Sequence, residues 1–118
     1  MQCMVVNDSS NLMSQMRRGA VEYCVLALLQ NHDMYGFELT RALSTAGGLV
    51  ASEGTVYPLL ARIRQDGRVE TFWEPSPQGP PRRYYRLTND GRLALETFRA
   101  QWRQFRDTVD VILKGSER

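Results

Sequence analysis

Cysteine, histidine and lysine are scarce: the 118 residues include two, one and one of them. Cys3 and Cys24 are too few and too dispersed for a disulfide framework or a cysteine-based zinc site. A lone histidine, His32, supplies neither a metal cluster nor a nucleophile–base pair. Glu53, Glu70 and Glu74 have no spacing that would pair two carboxylates for acid–base work. No nucleophile elbow or phosphate-cradling loop occurs. No apolar run approaches the roughly 20 residues needed to span a bilayer. Met1 to Met16 lacks the basic start and apolar stretch of a secretory signal. The expectation is a cytoplasmic, soluble, non-enzymatic domain with no cofactor, no metal and no membrane partner.

What is present is a chain long enough for one domain, with 42% apolar residues. Fifteen basic residues against thirteen acidic ones give a net charge of only +2, but fourteen of the fifteen are Arg. Arg presents a planar donor fork that fits phosphate and guanine edges, which a Lys point charge does not imitate. GC-rich coding produces the same skew, so position has to decide what it means.

Residues 1–13 are polar and aperiodic, and Asn7-Asp8-Ser9-Ser10-Asn11 reads as a flexible arm. From about Ser14 to Gln30 the pattern is helical, with Val21, Val25, Leu28 and Leu29 in one stripe. Asn31-His32-Asp33 breaks it. A second helix is expected from about Tyr35 to Thr45, using Phe37, Leu39, Ala42 and Leu43 and closed by Gly47-Gly48. The third has Ser52 as N-cap, Val56, Leu59, Leu60 and Ile63 at i, i+3, i+4, i+7, and Gly67 as its stop. Pro58 has to lie in its early turns. Val69 to Glu74 then alternates like a strand, Pro75 to Pro81 is a loop, and Arg82 to Leu87 is a second strand. Three helices and a two-stranded hairpin, over about 14–88, is the order of a winged helix-turn-helix domain. The fold class is mainly α (α+β).

The segment 89–118 differs. A helix from about Asp90 to Leu113 places Leu95, Phe98, Trp102, Phe105, Val109 and Ile112 at spacings 3, 4, 3, 4, 3, a heptad seam. That helix is about 36 Å long, and a small three-helix domain cannot cover all of its seam. Its simplest partner is a second copy, making this a dimerisation helix.

Charge is localised where the hairpin turns. Residues 79–92 hold Arg82, Arg83, Arg86 and Arg92 against Asp90, a balance of +3, so the remainder sums to −1. A focused patch is what phosphate binding requires, because neutralised phosphates release counterions. Ser52, Gly54, Thr55 and Tyr57 at the start of the third helix permit close approach to a groove. Arg62 and Arg64 lie on the polar side of that helix. Double-stranded DNA is the expected partner. Against this stand a merely solvated hairpin, a Tyr57 that only packs and a Thr55 that only caps.

Gly54-Thr55-Val56-Tyr57-Pro58-Leu59-Leu60, the block Gly79 to Thr88 and the following Gly91 resemble the PadR family of transcriptional regulators. So do Arg18-Gly19 and Tyr35-Gly36. The likeness spans about Met16 to Leu113, and the length resembles the short subgroup with one C-terminal helix. It implies a homodimeric winged-helix repressor, often autoregulatory, bound to a dyad-symmetric operator and released by a small molecule. Tyr35 and Tyr84, inside the shared motifs, join the DNA face. In multidrug-sensing members a Trp at the position of Trp102 faces its dimer mate, and the two rings sandwich flat aromatic drugs. Arg99 and Arg106 depart from the aromatic and the acid of that pattern, which implies either anionic or phenolic ligands instead or two side chains that simply face solvent. Tyr23, Arg99, Trp102 and Arg106 form the expected effector set, with Trp102 as one more knob of the seam as the alternative. A winged-helix adaptor for an acidic protein, without DNA binding, is the competing function, and an aromatic-ligand sensor that has lost DNA binding is a third.

Overall fold

A computed structural model of the chain describes residues 12, 16–45 and 53–116. Helix α1 (Val21–Asn31) leads through strand β1 (Met34–Tyr35) into helices α2 (Gly36–Thr45) and α3 (Glu53–Gln65). Strands β2 (Val69–Glu74) and β3 (Arg82–Leu87) follow, then the long helix α4 (Asn89–Gly115). The result is mainly α with a small antiparallel sheet, a winged helix-turn-helix domain carrying a C-terminal helix.

The core collects one stripe from each helix. Val21, Val25, Leu26 and Leu29 of α1 meet Leu39 and Leu43 of α2 and the full Val56, Leu59, Leu60, Ile63 stripe of α3. Val69, Tyr85 and Leu87 of the sheet close one side, and Leu95 of α4 joins them. Helix α3 ends in a Schellman motif. Gly67 turns left-handed at φ 79°, its N–H bonds to the Arg64 carbonyl at 3.0 Å, and the Arg68 N–H bonds to the Ile63 carbonyl at 2.9 Å. Thr88 then ties this corner to α4. Its hydroxyl donates to the Gly67 carbonyl at 2.6 Å and accepts from the Gly91 N–H at 3.0 Å, which caps the helix. Gly91 is where α4 touches down: a Cβ there would lie 2.1 Å from the Arg68 carbonyl oxygen.

The structure departs from the sequence expectations in four places. The helical stretch expected from Ser14 is interrupted by a turn at Arg18–Ala20, where Gly19 adopts φ 86°, so α1 begins at Val21. Its buried stripe runs through Leu26 rather than Leu28, which is half-buried. Tyr35 lies in a strand, not in the second helix. Strand β1 pairs with β3 (Met34 opposite Tyr85, Tyr35 opposite Tyr84), so the two-stranded wing sits in a three-stranded sheet of order β1-β3-β2. Finally, α4 runs on to Gly115 rather than ending at about Leu113. The expected arm, the Gly47-Gly48 stop and Ser52 fall outside the described residues, apart from Leu12 in the arm. Pro58 is the sixth residue of α3, within its second turn as expected.

Helix α4 has 27 residues, about 40 Å of helix. Its first turns pack on α1 and the sheet, and the rest projects, extending the molecule to 57 Å along its longest axis. Among the described residues no helix is long and apolar enough to cross a membrane.

Candidate nucleic-acid interface

Helix α3 buries one side and leaves Gly54, Thr55, Tyr57, Ala61, Arg62 and Arg64 exposed on the other. The Tyr57 ring lies directly over Gly36, where a Cβ would come within 2.5 Å of it. That glycine lets the start of α2 approach α3. Burial, and then the Glu53 carboxylate, push the Tyr57 phenol above its ordinary value, so it stays a neutral hydroxyl. Thr55 and Arg62 border a cleft whose opposite wall is Arg17, Arg18 and Glu22. Arg17 and Arg18 were not among the residues expected to meet DNA. Their signal was the turn at Gly19, which folds the segment before α1 back beside α3.

The wing is built from register. Phe72 stands opposite Tyr84, Trp73 opposite Arg83 and Glu74 opposite Arg82. Each guanidinium of this hairpin lies over an aromatic face: Arg82 over Tyr35 at 4.5 Å, Arg83 over Trp73 at 5.7 Å, Arg86 over Phe72 at 4.4 Å. Tyr84 contributes packing, with ring centroids 5.4 Å from Tyr35 and 5.7 Å from Phe72. Two of the three arginines are poised for anions. Among the described residues neither Arg82 nor Arg83 meets a carboxylate, and the Arg83 Nε is buried without a partner. Arg86 is otherwise engaged, giving Asp33 two hydrogen bonds of 3.2 and 3.1 Å and lying 3.9 Å from Glu70. Its share of the +3 counted along the sequence is therefore neutralised internally.

Arg62 is also partly committed: its Nη2 donates to Glu22 Oε1 at 2.8 Å. Glu22 Oε2 accepts from Arg68, whose Nη1 also donates to the Tyr23 hydroxyl at 3.2 Å. That hydrogen bond to Tyr23 outweighs burial and pushes the Arg68 guanidinium up. Neither Glu22 nor Arg68 was anticipated.

On α4 the expected seam divides. Leu95 is 1% exposed within a single chain, so it belongs to its own core and offers nothing to a partner. Trp102, Phe105 and Ile112 are 41%, 62% and 65% exposed, and Phe98 and Val109 are half-buried. Four rings form a ladder: Tyr23 stacks on Phe98 at 4.2 Å and 5°, Phe98 on Trp102 at 5.8 Å, and Trp102 tilts against Phe105 at 6.1 Å. Beside it opens a cleft of about 750 Å³ between Met16–Ala20 and α4, lined by Phe98, Trp102, Phe105, Arg18 and Arg106 among others. Of the expected effector set, Trp102 and Arg106 line it. Tyr23 reaches it only through Phe98. Arg99 turns away, bonding Gln30 on α1 at 3.0 Å and Glu96 at 3.4 Å.

Comparison with known proteins agrees with this architecture. The family described as "Transcriptional regulator PadR-like family" matches residues 25–97. A PadR family transcriptional regulator of Eggerthella lenta superposes with TM-score 0.82 at 31% identity, over 94% of this chain and 97% of that one. A PadR-like regulator of Bacillus cereus gives 0.78 at 36% identity, over 86% and 99%. A transcriptional regulator of Mycobacterium tuberculosis is 37% identical over 83 residues, 70% of this chain and 76% of its own. With the winged helix, the exposed α3 face and the free wing arginines already in place, the chain belongs to the PadR-like family and is a DNA-binding transcriptional regulator, not an enzyme.

Proposed function

We propose that the chain is a homodimeric repressor, autoregulatory at its own promoter, that leaves a dyad-symmetric operator when a small aromatic effector binds at the dimer interface. The observation that carries this is the open aromatic face of α4: Trp102, Phe105 and Ile112 continue an a/d seam that their own domain leaves uncovered. A second copy presents the same face, so an isologous helix pair buries both. That pairing would hold two α3 helices about 34–36 Å apart, one turn of DNA. Thr55, Tyr57 and Arg64 would face the groove, with Arg82 and Arg83 on flanking phosphates.

The cleft beside Trp102 opens onto the seam. Its walls are largely apolar with three aromatic rings, Phe98, Trp102 and Phe105, and Arg18 and Arg106 outnumber the one acid there, Asp110, favouring a flat ligand that is anionic or phenolic. An effector that changed the helix–helix angle would need only a few kcal/mol of preference for the non-binding dimer.

Sedimentation tests the assembly and a gel shift on the chain's own promoter tests the operator. In a Trp73→Phe background, quenching of Trp102 by flavins, phenolic acids or planar dyes tests the effector site. A monomer at micromolar concentration would refute the dimer. A promoter fragment left unshifted would refute autoregulation, and unchanged emission with every compound would leave Trp102 as packing alone.

A further inference from the structure

We infer that Glu22 is a positioning residue that couples the aromatic face of α4 to the recognition helix, through Arg68 and Tyr23 on one side and Arg62 on the other. This rests on the reading above, in which α3 meets DNA and the Trp102 face meets the effector. The chain of contacts is unbroken. Trp102 stacks on Phe98, and Phe98 lies parallel to Tyr23. The Tyr23 hydroxyl accepts from Arg68, whose guanidinium also lies 5.6 Å from the centre of the Tyr23 ring. Arg68 donates in turn to Glu22 Oε2, and the other carboxylate oxygen holds Arg62 of α3.

Three features distinguish this arrangement from an ordinary surface ion pair. The Glu22 side chain is only 10% exposed, so its two bonds act where water screens them least, whereas Arg62 keeps 59% exposure and reaches into the cleft beside Thr55. One carboxylate serves two guanidiniums, so moving one changes the field on the other. Arg68 is also the joint between elements. Its N–H bonds α3 through the Ile63 carbonyl, and its carbonyl accepts from Thr88 at the start of α4 at 3.1 Å. Displacing Phe98 therefore moves Tyr23, and with it the anchor of a recognition-helix arginine.

Coupling is reciprocal, so operator binding must report back to Trp102. The test uses the full-length chain carrying Trp73→Phe, so that Trp102 is its one tryptophan, and an operator fragment selected from genomic DNA. Saturating the protein with operator should shift Trp102 emission and its quenching by acrylamide. Tyr23→Phe keeps the ring stack and removes the hydroxyl, and Glu22→Gln keeps the shape and removes the charge. Each should bind saturating DNA, yet lose about half or more of the shift, the loss expected when a coupling link is cut. Arg82→Ala, off this path, should weaken binding but retain the full shift at saturation. Melting followed by circular dichroism confirms that both variants fold, and Tyr23→Phe decides alone if Glu22→Gln does not. Equal shifts in parent and variants overturn the coupling, as does DNA binding by the parent with no shift. A parent that binds no DNA at all overturns the operator reading itself, and the coupling falls with it.

Discussion

Replacing Arg82 and Arg83 together by Ala should flatten the salt dependence of operator binding while leaving the fold intact. Both guanidiniums lie over aromatic rings and neither meets a carboxylate among the described residues, so their charge is available to phosphates. Each phosphate neutralised contributes about 0.9 to the slope of log affinity against log salt. Two per wing and two wings per dimer predict a slope shallower by about 3.6. Over the fourfold rise from about 50 to 200 mM salt, the variant should lose about 150-fold less affinity than the parent. Arg86→Ala is the internal control. Its guanidinium is held by Asp33 at 3.1 Å, and Glu70 lies 3.9 Å away, so removing it frees acids rather than uncovering phosphates. Fluorescence anisotropy of a labelled operator at four salt concentrations measures all three slopes. The reasoning fails if the double variant keeps the parental slope, or if Arg86→Ala flattens it by as much.

Three further substitutions and one chemical probe examine the scaffold. Leu95→Ala removes a fully buried side chain and should cost about 2–5 kcal/mol in unfolding experiments; Phe105→Ala should cost the single domain little and instead weaken dimerisation in sedimentation. Gly91→Ala drives a methyl onto the Arg68 carbonyl and Leu87; a cost of about 1–3 kcal/mol should appear as a melting point lower by several degrees. Burial raises the pKa of the Cys24 thiol, so at pH 8 it holds less thiolate than a free cysteine and should react with maleimide more slowly than glutathione does. Reaction at the glutathione rate would show that Cys24 is more open than its place on α1 indicates.

How much of this fold was readable depended on the range of the interactions involved. The α3 stripe of Val56, Leu59, Leu60 and Ile63 is local, set by helical period, and all four residues are buried. Gly67 was readable for the same reason, since a helix that stops needs a left-handed residue there. Strand β1 was not: two residues have no period, and Met34 is a strand residue only because Tyr85 lies opposite it. The seam was read with correct spacing, yet sequence could not show that Leu95 belongs to the domain and Phe105 does not. That division depends on where α1 and the sheet end in space.

The site divided along the same line. Free arginines on the wing were visible as a charge cluster, but pairing decides which of them count. Arg86 finds Asp33 53 residues away, a contact no local pattern encodes. Glu22 is the sharper case. It directly follows Val21 at the start of α1, where an acid in the first turn reads as a favourable partner for the helix dipole and nothing more. Yet its neighbours on the buried face are Val25, Leu26 and Leu29, and an acid on that side has to find cations or remain unsatisfied. The two it finds come from α3 and from the residue just past the α3 stop, 40 and 46 positions on. A charged residue inside an apolar stripe thus marks where a helix meets a polar neighbour. Here that neighbour is α3, the helix proposed to read DNA, while Tyr23, one residue on, stacks in the aromatic ladder. A single turn of α1 consequently touches both proposed surfaces, and on the proposed coupling it is where a ligand on one would first be felt by the other.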